Sequence, residues 1–454
     1  MLLIARRAAS VVLGVVLAVL TLGGIAVAGT ATVGRHSAPP PAAAGQDWPA
    51  PRPSSTDGEF VVAVALGQTG TVGSDVLAPY EVFASSPEFS VYTVAATAAP
   101  VSLTGGPGLV PAHTFADVDS GAAPAPDVVV VPAVGDPTGA AEAPLRDWII
   151  RQSARGAHLL GVCSGSRVLA ATGLLDGHRA TSHWSGISAL EQSNPTVQWV
   201  RGERYVQDGR ITTTAGVSSG VPGALRVMAD LAGAAQSERV GRAVGYPDWS
   251  LTAPTSIPVQ HFAVADLPVG LNAVLPWLRP VVGVGLTDGV GEIDVAAAFE
   301  VYSMSAAART VAVAAHPAVT TRHGVVLVAA PSARGLPALD RVIVPGATSA
   351  GSIDPRLASW AADRDVPLDP LSGAEGRAGF DAALDDLAAH TDRATAVSAA
   401  KLIDYPTTQQ ALPAGGQTWR TPVLLVLALL VAVGVGLLPT TVRRLVRRRR
   451  AHTA

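Results

Sequence analysis

Two distant stretches of this chain carry the same pattern, and that duplication limits the folds open to it. The first runs EFVVAVALGQTGTVGSDVLAPYEVF from Glu59, the second RPVVGVGLTDGVGEIDVAAAFEVY from Arg279, and Asp75, Glu81 and Phe83 fall opposite Asp294, Glu300 and Tyr302 at identical spacing. Each continues through a short apolar run (FSVYTVAA; RTVAVAA) to a Val-rich run ending in proline (DVVVVPA; DRVIVPGA). A Trp-bearing helical stretch follows, and each closes at a Tyr-Pro pair, Tyr246-Pro247 and Tyr405-Pro406. Short Val-rich runs that alternate with Ala/Leu-rich helical stretches predict βαβ units and a parallel sheet covered by helices on both faces. The expectation is two tandem α/β domains of flavodoxin-like type, residues 59–250 and 280–406, joined by a connector over 251–279. Ligands of such sheets bind beyond the carboxyl ends of the strands.

Both ends are apolar. Ala8 to Gly34 is a run without charge behind Arg6 and Arg7, and Thr421 to Val442 is another ahead of Arg443, Arg444 and Arg447 to Arg450. These segments account for much of a mean hydropathy of +0.35 in a chain with only 15% charged residues. Each is long enough to span a bilayer. Residues 1–34 read either as a retained anchor or as a signal peptide cleaved near Ala26-Val27-Ala28. Residues 421–442 read as a spanning helix, with 443–454 a basic cytoplasmic tail. Arginine on the inner side places both tails in the cytoplasm, if the first helix is retained, and the body outside the cell membrane. Pro/Ala-rich linkers, 35–58 and 407–420, hold that body off the surface. Eight arginines lie in the tails, which leaves 24 basic residues against 35 acidic ones elsewhere. An acidic body is a poor partner for nucleic acid.

The chemistry concentrates at one turn. The single cysteine, Cys163, excludes an intramolecular disulfide and any multi-thiolate metal centre. It stands in Gly161-Val-Cys163-Ser164-Gly165, between an apolar strand from His158 and a helical stretch from Ser166. This G-x-nucleophile-x-G elbow needs small flanking residues because the strained turn leaves no space for side chains. A helix N-terminus aimed at sulfur favours the thiolate, and the same amides offer an oxyanion site. The competing reading is a buried packing cysteine. The histidines lack ligand-like spacing, and no metal or cofactor is expected.

GVCSGSRVLAATGLLDGHRATSHW resembles the elbow region of the ThiJ/PfpI family, which has a class-I glutamine-amidotransferase-like fold, and specifically the branch of isonitrile hydratases and AraC-type regulator ligand domains. DVLAPYEVF resembles that branch's opening motif, with Ala78 where a glycine is usual. The resemblance covers Phe60 to Trp249 well and Pro280 to Pro406 more weakly. It implies Cys163 as nucleophile, Asp75 as the carboxylate that approaches it and His183 as the histidine of the His-Trp pair with Trp184. Gly161, Ser164, Gly165, Glu81 and Trp184 are the implied binding residues, Glu81 being also the reserve proton carrier. Asp75 reads equally as a helix cap, since Asp294 occupies the matching position in a repeat without cysteine. His183 reads as a pocket acid–base group or as a hydrogen-bonded wall.

Departures narrow the chemistry. Ser164 follows the cysteine where a protease of the family has histidine, and no late His/Glu pair supplies a glutaminase triad. The second repeat has Leu371-Ser372-Gly373 at its elbow and no thiol, so a degenerate copy that packs in cis as a pseudo-dimer, or a homodimer, is the expected arrangement. Two functions follow: a Cys-dependent enzyme acting on a small molecule by isonitrile-hydratase or glyoxalase-like chemistry, or a small-molecule sensor without a DNA-reading domain.

Overall fold

The structure, a computed structural model, describes residues 2–37, 48–55, 57–329, 336–372, 379–406, 412–413, 415 and 419–452. The Val-rich runs form strands because β-branched side chains fit a sheet buried on both faces. In the first half seven strands lie in the order Tyr205–Asp208, Ile211–Thr214, His158–Gly161, Val128–Val131, Phe60–Ala65, Phe89–Ala95 and His113–Thr114. All neighbours pair in parallel except the Tyr205–Asp208 edge, which is antiparallel to Ile211–Thr214. A second sheet orders Arg309–Ala314, Val281–Leu286, Arg341–Pro345 and Leu368–Leu371, all parallel.

The halves share one hydrophobic core, which runs from Val62, Phe83 and Leu160 to Val284, Phe299 and Phe380. At its centre the helix Gly73–Ala84 lies against the helix Glu292–Ser305. The contact is reciprocal: Ile293 N–H donates to Glu81 Oε2 at 2.6 Å, and Ser74 Oγ donates to Glu300 Oε2 at 2.9 Å. Each helix thus offers a glutamate to the start of the other, where free amides and the dipole favour an acceptor. An antiparallel sheet with strands from both halves completes the joint, Val326–Val328 pairing with Gly108–Val110.

The terminal segments form helices Leu2–Ser37 and Arg420–His452, and within them Ala9–Val33 and Arg420–Arg444 are long and apolar enough to cross a membrane. They run antiparallel and in contact. Arg443 Nη1 donates to Ser10 Oγ at 3.0 Å, and a Cβ placed on Gly14 would fall 2.2 Å from the Gly436 carbonyl. The 251–279 stretch is more than a connector: its helix Leu267–Val274 accepts the Arg420 guanidinium and the Thr421 hydroxyl on Asn272 Oδ1, at 2.6 and 2.9 Å. Gly373 of the second elbow lies outside the described residues.

Candidate active site

The elbow forms as the glycine pattern predicts. The central strand His158–Gly161 ends, Cys163 takes a backbone φ of +54°, and the helix Gly165–Ala171 begins. A non-glycine residue held in the left-handed region stores strain that the surrounding structure must stabilise, a mark of functional turns. Gly165 is required by contact: a Cβ there would fall 2.0 Å from the Val131 carbonyl oxygen, backbone that cannot retreat. Gly165→Ala is therefore expected to destabilise the fold by about 2–3 kcal/mol or more, a loss that thermal unfolding measures.

The thiol is buried, with Cys163 6% exposed. Its main chain is fully engaged. Cys163 N–H donates to Thr214 Oγ1 at 3.1 Å, and its carbonyl accepts from Ser166 Oγ at 3.1 Å and Ser182 Oγ at 3.4 Å. Gly165 N–H closes back onto Val162. Only the Ser164 amide is aimed at the sulfur. The helix N-terminus that favours a thiolate is therefore outweighed by burial. Burial pushes the thiol well above its usual range, the charges of Asp75, Glu300 and Asp404 add to this, and the Ser164 amide offsets only part.

Asp75 is fully buried and does not cap its helix. Its Oδ2 accepts from Ala133 N–H at 3.0 Å, across the sheet end, whereas the helix start at Val72 has no side-chain cap. Its Oδ1 is enclosed without any hydrogen-bond partner. Burial raises its pKa well above the usual range, and the charge of Glu300 raises it further. In its protonated form Asp75 would carry the proton on Oδ1, since Oδ2 already accepts from Ala133, and burial favours that form.

Glu300, from the second half, is pushed up to about 7 by burial, with the Ser74 hydroxyl opposing. A folded-state carboxyl with a raised pKa keeps its proton while the unfolded chain ionises, so stability present below pH 4.5 is lost as pH rises towards 7. Glu300→Gln is expected to remove on the order of 2 kcal/mol of that pH dependence. Thermal unfolding at pH 5 and pH 7.5 measures it; an unchanged difference between the two would contradict the assignment.

The other expected site residues make contacts of their own, and Trp184 lines a small cavity together with Ser182 and Asp404. Glu81 belongs to the joint between the halves, bonded to Ile293 and ion-paired with Arg322 at 3.3 Å, and cannot serve the thiol. His183 is a wall residue. Its Nε2 donates to the Leu402 carbonyl at 2.7 Å and its Nδ1 meets Ser185 Oγ at 2.8 Å, so both nitrogens are occupied, and burial lowers its pKa. Trp184 Nε1 donates to the Lys401 carbonyl at 3.3 Å, and its ring rests on Phe262. Glu81, Glu292 and His323 bring ligand atoms within 4.8 Å of one another. Their carboxylate oxygens are already bonded to Ile293, Arg322, Thr321 and His323, which makes the cluster an ion-pair network. Sequence reasoning missed Thr214, Ser182 and Asp404, which surround the cysteine from distant segments, and no local motif marks them.

The DJ-1/PfpI family pattern matches residues 61–229. Over 194 residues the chain is 34% identical to the isonitrile hydratase of Pseudomonas putida, an alignment covering 40% of this chain and 79% of that protein. Over 94 residues it is 40% identical to the HTH-type transcriptional regulator CdhR of Pseudomonas aeruginosa, covering 20% of this chain and 28% of the regulator. A ThiJ/PfpI family structure from Pseudomonas syringae shares 27% identity over 47% of this chain and 89% of its own, with a TM-score of 0.37. With an elbow cysteine, a buried facing carboxyl and a relative matched along most of its length, the chain belongs to the DJ-1/PfpI family.

Proposed function

We propose that the Cys163 site adds water to the carbon of a small isonitrile, giving an N-substituted formamide. The observation that carries this reading is the pair itself: one buried thiol and, within its electrostatic reach, one buried carboxyl whose Oδ1 has no partner, both pushed by burial towards their protonated forms. An isonitrile carbon carries a lone pair and is activated by protonation. Asp75 donates its proton to that carbon, the Cys163 sulfur bonds to it, and the thiol proton passes to the Asp75 carboxylate. The product is a thioimidate, with the Ser164 amide supporting charge on sulfur as it develops. Water then adds to the same carbon, the C–S bond breaks, and the formamide leaves with the thiol restored. No redox change occurs and no cofactor is needed. The likeness to isonitrile hydratase supports the substrate class. Formamide formation from a panel of small isonitriles, followed by proton NMR, tests it; no product from any of them would overturn it.

The second reading is a sensor. The alignment with CdhR supports it, and so does the burial of Cys163, which is 6% exposed. Reversible thermal stabilisation by an isonitrile, equal in wild type and Cys163→Ser, would favour this reading.

The second half serves as a degenerate copy that packs in cis where a partner subunit would pack. The shared strand order and the reciprocal Glu81 and Glu300 contacts support this. The two apolar helices anchor the protein with both basic ends in the cytoplasm and the body outside. Reporter fusions test the topology: alkaline phosphatase inserted at residue 260 is expected to be active and one at the C-terminus inactive, and the reverse pattern would refute it.

A further inference from the structure

Asp404 follows the helix Arg393–Leu402 at the end of the second half, yet its carboxylate lies in the first. Its backbone φ of +55° is in the left-handed region, where Asp and Asn are tolerated. The turn points the side chain back across the joint. Ser218 N–H donates to the Ile403 carbonyl at 3.0 Å, fixing the corner in place. Gly216 leaves the space that the carboxylate fills, since a Cβ there would fall 2.4 Å from Asp404 Oδ2. That oxygen is enclosed and has no hydrogen-bond partner. With Thr181, Ser182 and Ala215 it lines the cavity of about 10 Å³, room for a single water. Ser182, which lines the same cavity, donates its Oγ to the main-chain carbonyl of Cys163 at 3.4 Å.

We propose that Asp404, supplied by the second half, is a residue of the Cys163 site and holds the water consumed in the reaction. The proposal rests on the hydration reading for its water but not for its placement. In the second step Asp404 accepts a proton from the water as oxygen adds to the thioimidate carbon, and that proton passes to the nitrogen; the C–S bond then breaks as the hydroxyl proton goes by way of Asp404 to the departing sulfur, which leaves the formamide and the thiol. A chain cut down to the first half would hold the thiol and Asp75 but lack this acceptor.

The charged groups around the site come from every surrounding segment. Asp75 and Glu300 act on the thiol from the two central helices, and Arg204, ahead of the edge strand, acts on Asp404 and favours its ionised form. Burial outweighs Arg204 and raises Asp404 to about 7, the range in which a carboxyl exchanges protons with a reacting water.

Asp404→Asn preserves the left-handed turn and the shape while removing the charge; Asp404→Gly is the second variant, should the amide disturb folding. The experiment titrates the single thiol of the full-length chain by its thiolate ultraviolet absorbance, then measures isonitrile turnover. The thiol is expected to titrate about half a unit to one unit lower in both variants. Turnover is expected to fall about 10²-fold while Cys163 still forms its adduct, so that thioimidate accumulates. An unshifted thiol titration in both variants would overturn the proposal, whatever the turnover. A shifted titration with no wild-type turnover would sustain the placement of Asp404 and instead overturn the hydration reading.

Discussion

Cys163→Ala is expected to lower isonitrile hydration by about 10⁴-fold or more, with the protein still folded. The size follows from the chemistry: the thiol is the chain's only one, and the covalent step is assigned to it. Loss of a covalent nucleophile typically leaves only the rate supplied by binding and positioning. Folding survives because alanine removes one sulfur atom from a site whose main-chain bonds, to Thr214, Ser166 and Ser182, do not involve it. Initial rates at saturating substrate, with unfolding temperatures measured in parallel, check both halves of this statement. Turnover within tenfold of wild type would remove the cysteine from the mechanism.

Asp75→Asn is expected to cost about 10²- to 10⁴-fold in rate, the usual worth of a positioned proton donor. The amide oxygen can still accept from Ala133 N–H, so the bond that orients the side chain is kept and only the transferable proton is lost. The variant also separates proton transfer from electrostatics. At alkaline pH, where the Asp75 carboxyl is ionised, its removal takes away one of the charges that hold the thiol's pKa up, so alkylation by iodoacetamide speeds there while hydration slows. The pH profile carries the sign. Wild-type activity needs Asp75 protonated, so it falls as pH rises through the raised pKa of that carboxyl, and the variant lacks this limb. A variant that hydrates as fast as wild type, with the same falling limb, would assign the proton to another group.

How much of this was legible in the sequence depended on how local its cause was. The parallel sheets, the elbow and the terminal helices rest on periodicity, glycine spacing and apolar length, which short windows contain. Asp75 and Cys163 were legible as residues because motifs surround them. Their protonation was not, since burial comes from the whole fold; the helix N-terminus that pointed to a thiolate contributes a single amide against complete desolvation. For His183 the choice between pocket group and hydrogen-bonded wall was not legible, because the carbonyls that engage it and Trp184, Leu402 and Lys401, come from a segment more than two hundred positions away. Glu81 was placed at the wrong site for the same reason: its partners Ile293 and Arg322 lie in the second half. Asp404 gave no local signal at all. Its position depends on the docking of the halves and on the room that Gly216 leaves.

The most direct measurement is the mass of the intact protein, quenched during reaction with a small isonitrile and mapped to the modified residue. The account predicts an adduct at Cys163 equal to the full mass of the isonitrile, formed more slowly in Asp75→Asn and accumulating in Asp404→Asn. Binding of the isonitrile with no mass added at Cys163 in any of the three proteins would contradict it.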